Sequence, residues 1–386
     1  LVVQEQGWQP FKRSPRFTLM VKNPFIPQTL IGRQAELDHI SQIFTTDGDL
    51  MVAGVPGSGR RSLIHWAAKT VGARVLEIDC LRATHPSRFL EILAEGLLNV
   101  FSAPEELAQI QRWSIQHPLI LEQASLHRAR LVWHVPKSGE WTVFQALLTL
   151  PQVMAEWLNC RIVFVFQNFP HIRSWDRSGQ WESYLRREIQ QQDRINYVIV
   201  ATVPETWADE SNLEVMTLAP LQREAIQTWV EAAMATEGFK FEPDALMLFL
   251  DYVQGHLADA IALARRIWVE GLAAEAAFDK TTQPFFIQPH HVYRSLLGLI
   301  EDLSSTFESL FLLLPPIQAR VLESLALDPT DSPQAREYIQ KHQLSRGGGL
   351  QGALAGLEQK GLIYGAKYGY QLALPLFAFW LKHRMT

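Results

Sequence analysis

Apolar side chains recur at Leu37, Ile40, Ile43 and Phe44, the three- and four-residue spacing of one buried helix face. A short apolar run, "LMVAGV", follows and reads as a buried strand. Helical spacing over 62–70, a second strand "RVLEIDC" and a further helix over 86–101 come next. The polar, His- and Trp-containing stretch 102–140 has no clean period and reads as short helices or an insertion. Beyond it, "WTVFQALLTLPQVMAEWL" predicts a helix, "RIVFVF" a strand, "WESYLRREIQQQ" a helix and "NYVIVATV" a strand. Uninterrupted apolar strands alternating with helices predict a parallel sheet covered on both faces.

After Pro220 the pattern turns helical in "QREAIQTWVEAAMA", "PDALMLFLDYVQG" and "LADAIALARRIWVEGL", which together predict a helical lid. From about Pro315 three helical stretches precede a strand, a Gly-containing turn and a strand, the order of a winged helix-turn-helix. Residues 1–28 are rich in Pro and basic side chains and suit an extended arm, with Trp8, Phe11 and Phe17 as anchors on its own domain or on a partner. The expected domains are therefore an arm at 1–28, an α/β domain at 29–219, a lid at 220–310 and a winged helix at 311–386.

Composition narrows the classes of function. The 386 residues are 47% hydrophobic and 19% charged, with a formal net charge of -5, which argues against coating nucleic acid through bulk charge. The two cysteines, Cys80 and Cys160, lack metal-ligand spacing, and no apolar run reaches the roughly 20 residues needed to cross a bilayer. A cytoplasmic protein without a metal site or membrane span is the expectation.

Candidate chemistry concentrates in "GVPGSGRRSL". Gly54, Gly57 and Gly59, between a predicted strand and a predicted helix, suit a loop whose backbone N–H groups turn onto phosphates. Such a P-loop ordinarily ends in Lys and then Ser or Thr. Here Arg60 and Arg61 hold those positions, flanked by Ser58 and Ser62. The strand "RIVFVF" ends in Gln167 and Asn168, where hydrolysis uses carboxylates to hold Mg²⁺ and polarise water. An amide is a poorer ligand for a hard cation and no general base. The electrostatic reading puts Arg61 where Mg²⁺ would sit, so that ATP or ADP is held without metal; an empty structural loop is the alternative.

With these landmarks in order, the chain resembles the AAA+ and STAND superfamily of P-loop ATPases, most closely archaeal-type ATPases with a C-terminal winged helix. The resemblance runs from "FIPQTLIGRQAEL" through "FVFQNFPHIRSW" and "GHLADAIALARRI" to "GLIYGAKYGYQLALPLFAFWL". It implies an α/β P-loop NTPase domain with helices on both faces of a parallel sheet, a lid and a winged helix. It also implies nucleotide-site roles for Gly54, Gly57, Gly59, Arg60 and Arg61, degenerate Walker B positions at Gln167 and Asn168, a polar sensor at Thr202, and a lid histidine at His256 that either packs or meets phosphate. Arg186, Arg187 and Arg194 are candidates for a finger reaching a neighbouring subunit, as a homo-oligomer would require.

The segment 333–386 carries seven basic against two acidic residues, which suits phosphate contacts. Arg346, Lys360, Lys367 and Tyr368 are the nucleic-acid candidates. The helix "GLQGALAGLEQK" offers mainly small side chains, so protein contact is the other reading. The functional expectation is a catalytically impaired pseudo-ATPase serving as scaffold or switch through a protein partner; a weak ATPase and a DNA-binding regulator are the alternatives.

Overall fold

The computed structural model describes residues 24–124, 128–136, 139–189, 191–210, 213–277, 284–345 and 347–385. Most of the arm, with Trp8, Phe11 and Phe17, lies outside the described residues. Where the chain enters, Phe25 is fully buried against Trp229 and Trp268.

The first half is built on a parallel sheet. Its strands are β1 (Leu50–Ala53), β2 (Arg74–Asp79), β5 (Ile162–Gln167), β6 (Ile195–Ala201) and β7 (Glu214–Thr217), in the order β2-β5-β6-β1-β7. Side chains alternate across a strand, and this sequence uses the alternation to make two different faces. Phe164, Phe166, Tyr197 and Ile199 join a core with α3 (Pro86–Val100) and α5 (Glu140–Leu158). Val163, Val165, Val198 and Val200 face the other way, onto α1 (Gln34–Thr45) and α2 (Arg60–Thr70). Both faces are thus covered, as the apolar strand runs predict, with the aromatics of β5 and β6 on one face and their valines on the other.

The stretch 102–140 contains α4 (Pro104–Ser114) and an antiparallel pair, β3 (Ile120–Ala124) with β4 (Arg128–Val132). α6 (Gln180–Glu188) follows β5 and is shorter than the sequence pattern predicts. β7 is the edge strand, with exposed or half-buried residues throughout, and its short "EVMT" run gives no apolar signal.

The second half is helical. α7 (Arg223–Thr236), α8 (Pro243–Val253), α9 (Leu257–Ala277) and α10 (Pro289–Leu312) form the lid, with a short parallel pair, β8 (Phe239–Phe241) and β9 (Phe285–Ile287). α11 (Pro316–Leu327), α12 (Arg336–Lys341) and α13 (Gly348–Gln359) precede a wing closed by one antiparallel bridge, Ile363 to Leu372, and α14 (Pro375–Met385) ends the described chain. α10 runs through residue 310, and one apolar core extends from Phe25 and Met234 to Phe377 and Leu381. Lid and winged helix therefore share an interior. Among the described residues, no helix is long and apolar enough to cross a membrane.

Candidate phosphate-binding site

The P-loop leaves the end of β1 and turns into α2. Gly57 and Gly59 have φ of +83° and +91°, and Gly59 caps the helix. The N–H groups of Gly57, Gly59, Arg60 and Arg61 meet no backbone acceptor among the described residues, as the N-terminus of a helix provides. Ser58 is buried, and its Oγ has no hydrogen-bond partner among the described residues. Ser62 is exposed in the first turn of α2.

The two arginines go separate ways. Arg60 is half-buried and donates to the Ala201 carbonyl at 2.8 Å; burial lowers the proton affinity of its guanidinium. Arg61 is exposed and lies 2.9 Å from Glu77 Oε1 on β2, with His65 3.0 Å from the other oxygen. Burial raises the Glu77 pKa, but hydrogen bonds from His65 and Arg61 outweigh it, so the carboxyl sits below its ordinary range. The sequence reading sends Arg61 to a metal position; in the structure its charge is matched by Glu77.

At the end of β5, Asn168 adopts a left-handed φ of +53° and its amide donates to Asp79 Oδ1 at 3.0 Å. Gln167 pairs in register with Asp79 and leaves its buried Nε2 without a partner among the described residues. Arg61, Glu77, Asp79, Gln167 and Asn168 line a cleft of about 620 Å³.

The opposite wall comes from the lid and winged helix. His256 Nε2 lies 2.8 Å from the Pro56 carbonyl oxygen, and the Ala258 N–H donates to the Gly57 carbonyl at 3.2 Å. A Cβ on Gly57 would meet His256 Nε2 at 2.5 Å and Ala258 Cβ at 2.9 Å, and one on Gly361 would meet Pro56 Cδ at 2.6 Å and Thr202 Cγ2 at 3.0 Å. Thr202, which the sequence reading makes a polar sensor, thus faces the winged helix. Val55, Tyr364 and Ala373 form a small buried cluster, with Tyr368 packed beside it. Burial pushes the Tyr364 hydroxyl up to about 12.

The nucleic-acid candidates are dispersed. Lys360 donates to Gln318 Oε1 at 2.9 Å, Lys367 is exposed beside the half-buried Tyr368 ring, and Arg346 lies outside the described residues. The finger candidates have partners within the chain: Arg186 over the Trp207 ring, Arg187 over Tyr184, and Arg194 with Asn159 Oδ1 at 2.7 Å.

A glycine loop after β1, with β6 between β1 and β5, combines with a lid and a C-terminal winged helix over nearly the whole chain. The same arrangement occurs in the Walker-type ATPase of Pyrococcus abyssi, at a TM-score of 0.59 and 14% identity, covering 92% of this chain and 96% of that one. Its fold is that of the archaeal AAA+ ATPases. The ORC2 protein of Aeropyrum pernix, in its ADPNP–ADP complexes, also matches with a TM-score of 0.59 and 14% identity over 94% of this chain and 98% of that one; its ADP form matches at 0.53. A family profile described as "probable winged helix domain" matches residues 305–383. No curated protein matches the sequence.

Sequence reasoning puts the glycine loop between a strand and a helix and Gln167 at a strand end, where β1, α2 and β5 have them, yet does not single out Glu77, Asp259, Gly361 and Tyr364. Glu77 and Asp79 alternate with apolar residues in "RVLEID" and were the available hint of a polar strand end. Gly361 and Tyr364 approach the loop through contacts spanning more than 150 residues, and Asp259 reaches it only through His256, none of which a local period encodes.

Proposed function

We propose that this chain is a hydrolysis-deficient P-loop protein, a pseudo-ATPase that acts as a scaffold or switch through contacts with protein or DNA. The observation carrying this reading is the end of β5, where Gln167 and Asn168 supply no carboxylate and the Asn168 amide is engaged with Asp79. Magnesium fits this donor set poorly, since the end of β5 offers only amides and the nearby carboxylates are engaged, Asp79 by Asn168 and Glu77 by Arg61 and His65. Among the described residues no group of three or more His, Cys, Asp or Glu is placed to hold a metal.

Phosphate does fit the loop backbone. The N–H groups of Gly57, Gly59, Arg60 and Arg61 and the Ser58 hydroxyl would hold it, with Arg60 as the nearby guanidinium. ADP or ATP bound without Mg²⁺ is the ligand this reading expects, in keeping with the adenine nucleotides named for the Aeropyrum relative. Protein contact stands ahead of DNA for the winged helix, because α13 exposes mainly Gly, Ala and Gln and Tyr368 is partly used in packing on Val55.

Phosphate release by the purified chain tests the central claim. Background rates are expected for both the wild type and Arg60→Ala; release that the substitution abolishes would overturn it. Calorimetric titration with ATP and ADP in EDTA and in Mg²⁺ is expected to give matching affinities. Binding that requires Mg²⁺ removes the metal-free reading.

A further inference from the structure

Two acceptors bracket the buried His256 imidazole. Nε2 faces the Pro56 carbonyl oxygen at 2.8 Å, and Nδ1 lies 3.0 Å from Asp259 Oδ1. A carbonyl and an ionised carboxylate can only accept, so both contacts are hydrogen bonds only when the ring carries a proton on each nitrogen. A neutral ring can serve Pro56 and accept the Asp259 N–H at 3.3 Å, but its Nδ1 lone pair then faces the carboxylate oxygen. The second oxygen, Asp259 Oδ2, accepts the N–H of Leu376 at 3.0 Å, in the first turn of α14. One carboxylate therefore connects the P-loop, through His256, to the winged helix.

We propose that His256 and Asp259 form a proton-sensitive clamp, which holds the lid and winged helix against the P-loop while the imidazole is charged and loosens when it is neutral.

The surroundings favour the charged form. Burial lowers the His256 pKa, but the hydrogen bond and charge of Asp259 and the Pro56 carbonyl outweigh it, leaving the ring above the ordinary histidine value. The loop residues 55–58 bring no titratable side chain, and neither do Pro220 and Leu221 behind Gly255. From the winged helix Tyr364 faces Asp259, with Arg33 of the entry segment acting on the same hydroxyl, while the Arg60 guanidinium is held by Ala201. Tyr364, at about 12, stays protonated throughout the neutral range.

A histidine whose folded pKa is raised stabilises fully below its unfolded value, roughly 6.5, and that contribution is lost as pH rises through the folded value. The clamp therefore weakens on the alkaline side. Asp49, ahead of β1 at the strand end away from the loop, is pushed to about 7 by burial and titrates in the same window. The readout must accordingly be local.

Hydrogen exchange of the full chain between pH 6 and 9, corrected for intrinsic rates, provides it. The stretches 55–58, 257–260 and 374–377 are expected to lose protection together as pH rises, while β6 stays protected. His256→Gln keeps one donor for Pro56 but cannot titrate, so its three stretches should be less protected at pH 6 and flat with pH. Flat protection in the wild type, or the same pH response in His256→Gln, would overturn the clamp. If His256→Gln does not fold, the wild-type profile alone decides.

Discussion

Across a cleft lined by Glu77, Asp79, Gln167 and Asn168, the P-loop region makes its polar contact through the Arg61–Glu77 pair, with room for solvent. Against the lid and winged helix it meets His256, Ala258 and Gly361 so closely that a single added carbon would collide. The contrast separates two demands that a P-loop sequence normally combines. Glycine at position 57 is required by the packed wall whether or not phosphate is present, because its φ is positive and a histidine ring lies over it. Gly57 therefore reports the join to the lid, while the open wall carries the Gln167 and Asn168 amides beside Glu77 and Asp79.

Gly57→Ala should give the largest effect. A left-handed alanine and the overlap with His256 and Ala258 together cost about 3 kcal/mol, seen as a lower urea midpoint. Gly179→Ala supplies the control, since its φ is +68° with no neighbouring atom within 4 Å, and it should cost only about 1 kcal/mol. Equal losses at the two positions would mean that the lid and winged helix do not press on the loop in solution.

Asn168→Asp moves the test to the open wall. The left-handed backbone tolerates aspartate, so the substitution changes mainly the side-chain chemistry. It replaces a donor to Asp79 with a second carboxylate, and like charges at hydrogen-bonding distance should cost about 1 to 2 kcal/mol at neutral pH. The loss should shrink in acid, as one of the two carboxyls takes up a proton. A stability difference that is the same at pH 4 and pH 7 would show that Asp79 does not face position 168.

How far the sequence discloses these walls depends on the length of the contacts. The strands β5 and β6 are legible because every residue in "IVFVF" and "INYVIVA" is buried, leaving an unbroken apolar run. β7 is hidden because an edge strand of four half-exposed residues has no such run, and β8 and β9 are only three residues each. The P-loop positions follow from glycine spacing between a strand and a helix. The partners of Arg60 and Arg61 do not, since a guanidinium binds whichever acceptor the fold brings near it, here the Ala201 carbonyl and Glu77. His256 stands out in the sequence through the "GHL" that opens a lid helix. Its link to Leu376 runs through Asp259, whose Oδ2 accepts a backbone N–H, and such a donor carries no residue signature at all.

Arg61→Ala should give the smallest effect and so sets the lower bound of the contrast. The arginine is exposed, and His65 stays within hydrogen-bonding distance of Glu77 when it is gone, so the loss at neutral pH should be roughly 0.5 kcal/mol or less. Glu77 has a depressed pKa in the folded chain, so the stabilisation it gains is present above its unfolded value, about 4.3, and disappears as pH falls through the folded one. The difference between wild type and Arg61→Ala should therefore close in acid, as measured by urea midpoints across that range. A neutral-pH loss approaching that of Gly57→Ala would make the Arg61–Glu77 pair a structural joint comparable to the His256 wall, and the two sides of the loop would no longer differ in kind.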